Sequence, residues 1–167
     1  MKRKDMDPKY QWDFTHIYPD KAAWEAAMAE AEQAVAGLAA LPGTLKASKD
    51  GLKKGLNAVY AAMEKIELPF IYANLHKCAD GSEPEHQNMD ARAMTLMVKG
   101  MSALAFLNPE ILSIPERDLN AWMAEEDMAV YRFIVDDIVR GRAHVLDEAR
   151  ERMLAMLGEA AQTPSEA

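Results

Sequence analysis

The sequence predicts an all-α fold: an antiparallel helical bundle of about five to six helices, entered by an extended aromatic N-terminal arm. Apolar residues recur at steps of three and four, and Gly and Pro fall mostly between such runs. No stretch alternates apolar and polar residues for long enough to read as a strand, and no internal repeat is present.

The arm spans residues 1–19 and packs on the bundle; its core is Tyr10-Gln-Trp12-Asp-Phe14-Thr-His-Ile-Tyr18-Pro19. Asp20 is placed to cap a first helix from Lys21, whose Ala, Glu and Met content favours helix until Leu41-Pro42-Gly43 stops it. A second helix is expected to be capped near Ser48. Its residues Leu52, Leu56, Val59, Met63, Ile66 and Phe70 share one face. Pro69 is expected to kink or break it, with Tyr72–Lys77 continuing in the same direction. Ser82 and Glu85 have capping-box spacing for a third helix, which carries Met89, Ala93, Leu96, Met97, Gly100, Met101 and Leu104 and stops near Asn108-Pro109. A short Pro109–Leu112 piece leads to a second such box, Ser113 to Glu116, and a helix with Leu119, Trp122 and Met123. Tyr131, Ile134, Val135 and Ile138 mark another, and a last helix begins near Asp147 with Met153, Leu154 and Leu157. The helical domain is thus expected over 20–162, with a polar tail at 163–167.

A chain of 167 residues can bury one real core, and twelve methionines suit irregular gaps between helices. A net charge of −8 argues against a nucleic-acid partner, because the only basic cluster, Lys2-Arg3-Lys4, is cut short by Asp5. Cys78 is the single cysteine, which excludes an intrachain disulfide and points to a reducing compartment. No apolar run reaches the ~18 residues of a membrane span, and none follows the basic N-terminus as in a secretory signal. The expected address is cytoplasmic.

Motifs that enforce a chemistry are absent: there is no H-E-x-x-H, P-loop, G-x-G-x-x-G, C-x-x-C or G-x-S-x-G. His76, Cys78 and His86 are three soft donors without a fourth, so surface histidines beside a helix end are preferred to zinc. Cys78 as a nucleophile needs a base, and His76 two residues away on a helix points elsewhere. Glu83-x-x-His86 is half of a di-iron pattern whose second copy is missing. His144 and Glu148 stand at i and i+4, where a helix-boundary role for His144 is preferred. Asp136 and Asp137 diverge by about 100° on a helix, so one is expected to meet Arg140 and the other water. The segment Gly51–Phe70 could be an amphipathic membrane or partner helix, and the methionines from Met89 to Met101 a groove for a partner helix, but core packing is preferred for both. No catalytic, cofactor-binding or metal-ligating residue is assigned within 1–167.

The arm, Tyr10 with Trp12-Asp13-Phe14-Thr15, Ile17-Tyr18 and Trp24, resembles the opening of oligoendopeptidase F, a zinc metallopeptidase family related to thimet oligopeptidase. Three further echoes follow in that family's order. They are Tyr72–Asp80 with Gln87, Ala105–Leu112, and Tyr131–Leu157, which holds an Arg-x-x-His-x-Leu-like segment. Leu107 and Asp147 depart from the pattern, and the chain stops at Thr163-Pro-Ser-Glu-Ala167, where the family continues into a catalytic portion bearing H-E-x-x-H. The resemblance implies a non-catalytic helical N-terminal domain that forms part of the substrate-channel wall of a short-peptide hydrolase. It implies zinc in the missing catalytic domain, which is also the implied partner. Trp12, Phe14 and Tyr18 would then strap the arm to the bundle or to the neighbouring domain, or else complete this domain's own core, each burial contributing on the order of 2 kcal/mol. The alternative is a free-standing helical protein–protein interaction module without enzymatic activity. Exposed apolar surface on a domain separated from its partner would favour self-association.

Overall fold

The computed structural model describes residues 6–142 and, among them, six α-helices: α1 (Lys21–Leu38), α2 (Lys49–Ala79), α3 (Pro84–Ala103), α4 (Leu107–Ser113), α5 (Glu116–Ala124) and α6 (Arg132–Gly141). The fold is all-α, as the periodicity requires. The last helix expected near Asp147 lies outside the described residues. The chain forms two compact units, Met1–Leu119 and Asn120–Ala167, with the boundary inside α5.

In the first unit, α1, α2 and α3 run up, down and up. Trp24 early in α1 bonds Pro69 late in α2, Glu30 meets Lys65, and Leu38 clusters with Val59 and Ala62, so α1 and α2 are antiparallel. Lys77 pairs with Asp90, and Gly100 lies against Ile66, which turns α3 antiparallel to α2. Bonds from Lys21 to Glu85 and from Arg92 to Glu25 then hold α3 parallel to α1. The main core gathers Trp24, Met28, Ala31, Ile66, Tyr72, Ala73, Met89, Ala93 and Leu96, with Phe14, Ile17 and Tyr18 of the arm packed on it.

Local chemistry sets most boundaries. Asp20 accepts from the Ala23 N–H at 2.8 Å, and Ser48 from the Gly51 N–H at 3.0 Å, so both expected caps form. Two others do not. Pro84 occupies the first turn of α3, where its missing N–H costs nothing, and the Ser82 hydroxyl turns back to Asp80 at 2.6 Å. Ser113 closes α4 instead, its hydroxyl donating to the Glu110 carbonyl at 2.6 Å. Nor does Pro69 break α2, which runs unbroken from Lys49 to Ala79. Its ring is buried in the core, and its carbonyl accepts the Trp24 indole N–H at 2.9 Å. Tertiary packing therefore overrides a residue that weakens an isolated helix.

In the second unit a 3-10 stretch, Glu126–Tyr131, leads into α6. Among the described residues of this unit, Met123, Met128, Tyr131, Val135 and Ile138 are buried apolar side chains. The Arg132 guanidinium donates to the carbonyls of Met123, Ala124 and Glu125 at 2.6, 3.1 and 3.2 Å, satisfying the open end of α5 with a positive charge.

Candidate functional site

The arm reaches the bundle through rings. Asp13 folds into a turn that accepts from the N–H and the hydroxyl of Thr15 at 2.9 and 2.7 Å, and these bonds hold its carboxyl below the usual range. That turn presents Phe14 to His76 on α2, with ring centroids 4.8 Å apart. His76 also meets Tyr72 at 4.5 Å and His86 on α3 at 5.0 Å, and Tyr18 stands edge-on to Tyr72 at 5.2 Å. Burial pushes the Tyr18 and Tyr72 phenols up. Of the strap residues, Phe14 and Tyr18 pack on the core, whereas Trp12 is 77% exposed.

The three soft donors singled out in the sequence therefore separate. His76 and His86 come together, while the exposed Cys78 lies beside Asn74, its Sγ 3.7 Å from Oδ1. His86 Nδ1 lies 3.0 Å from the Asp80 carbonyl, so that nitrogen carries the proton. Cys78 lines a hollow of about 330 Å³ with Trp12, Phe14, Ile17 and Leu75. No group of three or more His, Cys, Asp or Glu side chains suited to a metal occurs among the described residues. Glu83 opens α3 without a side-chain cap. On α6, Asp137 meets Arg140 at 3.8 Å on the surface, the pairing expected for one of the two aspartates. His144 and Glu148 lie outside the described residues.

Two buried carboxylates were not singled out by sequence reasoning. Glu110 on α4 accepts backbone N–H groups from Gly43 at 2.7 Å, Leu45 at 2.8 Å and Lys46 at 3.2 Å, and so ties down the α1–α2 loop. Gly43 takes φ +86 there, a conformation that glycine adopts freely. Asp90 on α3 binds Lys77 Nζ at 2.5 Å and Asn74 Nδ2 at 3.1 Å. Burial alone would raise its carboxyl, but those two bonds and the lysine charge outweigh it and hold the group below its usual range. Neither carboxylate faces a second acid across a cleft, so both read as structural ties.

The expected methionine stripe divides. Met89 is buried, whereas Met94 and Met101 are exposed beside Val98. Larger concavity lies elsewhere, between α1 and α2. A trough of about 630 Å³ there is lined by Ala23, Ala26, Ala27 and Ala61, with Glu30, Glu64 and Lys65 along it and Tyr18 and Leu68 near the start of α1. A second hollow of about 440 Å³ extends it along α2 past Tyr60, Glu67 and Ile71. No helix among the described residues is long and apolar enough to cross a membrane.

Comparison with known proteins converges on one group. A family model described as Oligopeptidase F matches residues 110–167. The plasmid-encoded oligoendopeptidase F of Lactococcus lactis subsp. cremoris is 28% identical over 166 residues, covering 98% of this chain and 28% of that protein. Oligopeptidase PepF of Bacillus subtilis (strain 168) is 29% identical over 158 residues, covering 94% of this chain and 24% of that one. The crystal structure of oligoendopeptidase-F from Enterococcus faecium superposes with a TM-score of 0.72 at 26% identity, over 84% of this chain and 28% of the other. The chain thus spans about a quarter of the length of these relatives.

Proposed function

We propose that this chain, similar to about a quarter of oligoendopeptidase F, serves as the helical, non-catalytic N-terminal domain of a zinc peptidase that hydrolyses short peptides. One observation carries the reading: 98% of the chain aligns with a peptidase that is several times longer. A bundle in that position forms part of the wall of a substrate channel and helps exclude folded proteins from it. In this reading the arm at 1–19 and the helical domain at 20–162 are followed by a polar tail at 163–167 that leads toward a catalytic portion supplied by further polypeptide, in the cytoplasm.

In this reading the zinc and its ligands belong to that further polypeptide. Two histidine ligands and a glutamate would hold the metal, which lowers the pKa of a bound water, and no residue of 1–167 contributes to it. The test is elemental analysis of the purified chain alongside a fluorogenic peptide assay. The expected result is less than a tenth of a zinc per chain and no hydrolysis, since structural or catalytic zinc would load near one per site. Stoichiometric zinc, or cleavage by the chain alone, would overturn the assignment.

A further inference from the structure

Among the described residues, the trough of about 630 Å³ between α1 and α2 continues into the hollow of about 440 Å³ along α2. Tyr60, Leu68 and Ile71, which are 50%, 45% and 38% exposed, line the hollow that extends the trough along α2, and Leu68 lines both. The trough's alanines, Ala23, Ala26, Ala27 and Ala61, add little bulk, so another helix can approach both backbones closely. Glu30 and Glu64 line the trough and Glu67 lines its extension along α2, against one lining ammonium, Lys65, which is 3.7 Å from Glu30. The outer face of α3 is different: Met94, Val98 and Met101 are exposed, but no acidic residue occurs from Ala91 to Ala105.

We propose that the trough seats a basic amphipathic helix from the catalytic part of the longer polypeptide, apolar side inward and Lys or Arg side chains facing Glu64 and Glu67. The proposal rests on the peptidase-domain reading and names the face through which that domain docks. Charge and length select the occupant. A second copy would bring another acidic trough in a chain of net charge −8 against the first. The matched segment is 28% of the Lactococcus relative, so most of such a polypeptide is available as a partner. A helix laid in an apolar groove with a charged rim is a recurrent mode of recognition.

The test replaces the matched segment of Enterococcus faecium oligoendopeptidase-F with this chain and compares the fusion with the separate chain by hydroxyl-radical footprinting. Tyr60, Leu68 and Ile71 should be oxidised roughly fivefold more slowly in the fusion, with Met94 and Met101 unchanged, as expected for burial at the centre of an interface. The double variant Glu64→Lys, Glu67→Lys should return Tyr60 to the rate of the separate chain without loss of helical circular dichroism. If Tyr60 and Leu68 react equally in both proteins while the fusion cleaves peptides, the docking face is wrong and the peptidase reading stands. A folded fusion no more active than the Enterococcus remainder alone sinks that reading itself. Slow oxidation already present in the separate chain puts a second copy or the chain's own residues in the trough, which also overturns the proposal. Should the first fusion not fold, a fusion to the Bacillus subtilis PepF remainder gives the same comparison.

Discussion

Glu110 shows how much one side chain can organise. It is buried, and it accepts three N–H groups from a loop that has no regular ladder to satisfy them. Glu110→Ala should cost about 3 kcal/mol in urea unfolding because those donors lose their acceptor, while Glu110→Gln, which keeps one oxygen, should cost about 1 kcal/mol. Asp90 supplies a pH signature. Its folded carboxyl is held below the usual range, so its stabilisation is present above the unfolded value of about 3.9 and is lost as pH falls through the lowered value. Asp90→Asn should flatten the acid limb of the stability–pH curve below about pH 4, leaving the smaller slope from exposed pairs such as Glu25–Arg92. Neither tie was legible in the sequence, since the partners of Glu110 lie up to 67 positions away and nothing local marks them. His76 and His86 were noticed, but as surface histidines beside a helix end, whereas the His76 ring packs against Phe14, Tyr72 and His86.

Among elements, two glycines in helices make opposite cases. At Gly37 in α1 an added methyl meets nothing within 4 Å, so Gly37→Ala should stabilise by about 0.5 kcal/mol through chain entropy alone. At Gly100 in α3 it would lie 2.7 Å from the Ile66 Cδ1, so Gly100→Ala should destabilise by about 1–3 kcal/mol despite better helix propensity. Thermal unfolding of the pair checks both signs. Helix identity and the caps at Asp20 and Ser48 were readable because period and capping are local. The two boxes at Ser82 and Ser113 misled because Pro84 and Pro115 move the helix starts beyond their reach. The continuity of α2 through Pro69 needed knowledge of Trp24, which sits 45 positions earlier and bonds the proline's own carbonyl.

On the scale of the whole molecule, the family resemblance carried what periodicity could not, because the sequence holds none of the motifs whose spacing enforces a chemistry. The arm was legible as aromatic, yet only the folded chain distinguishes Phe14 and Tyr18, which pack on the core, from Trp12, which does not. The clamp on the α1–α2 loop also carries a message about synthesis. The hairpin it fastens leaves the ribosome first, while the carboxylate that fastens it is encoded 65 positions after Leu45. A nascent chain can therefore assemble α1 against α2, but its bend stays unlatched until α4 emerges, which makes α4 the step that commits the first unit to its finished shape.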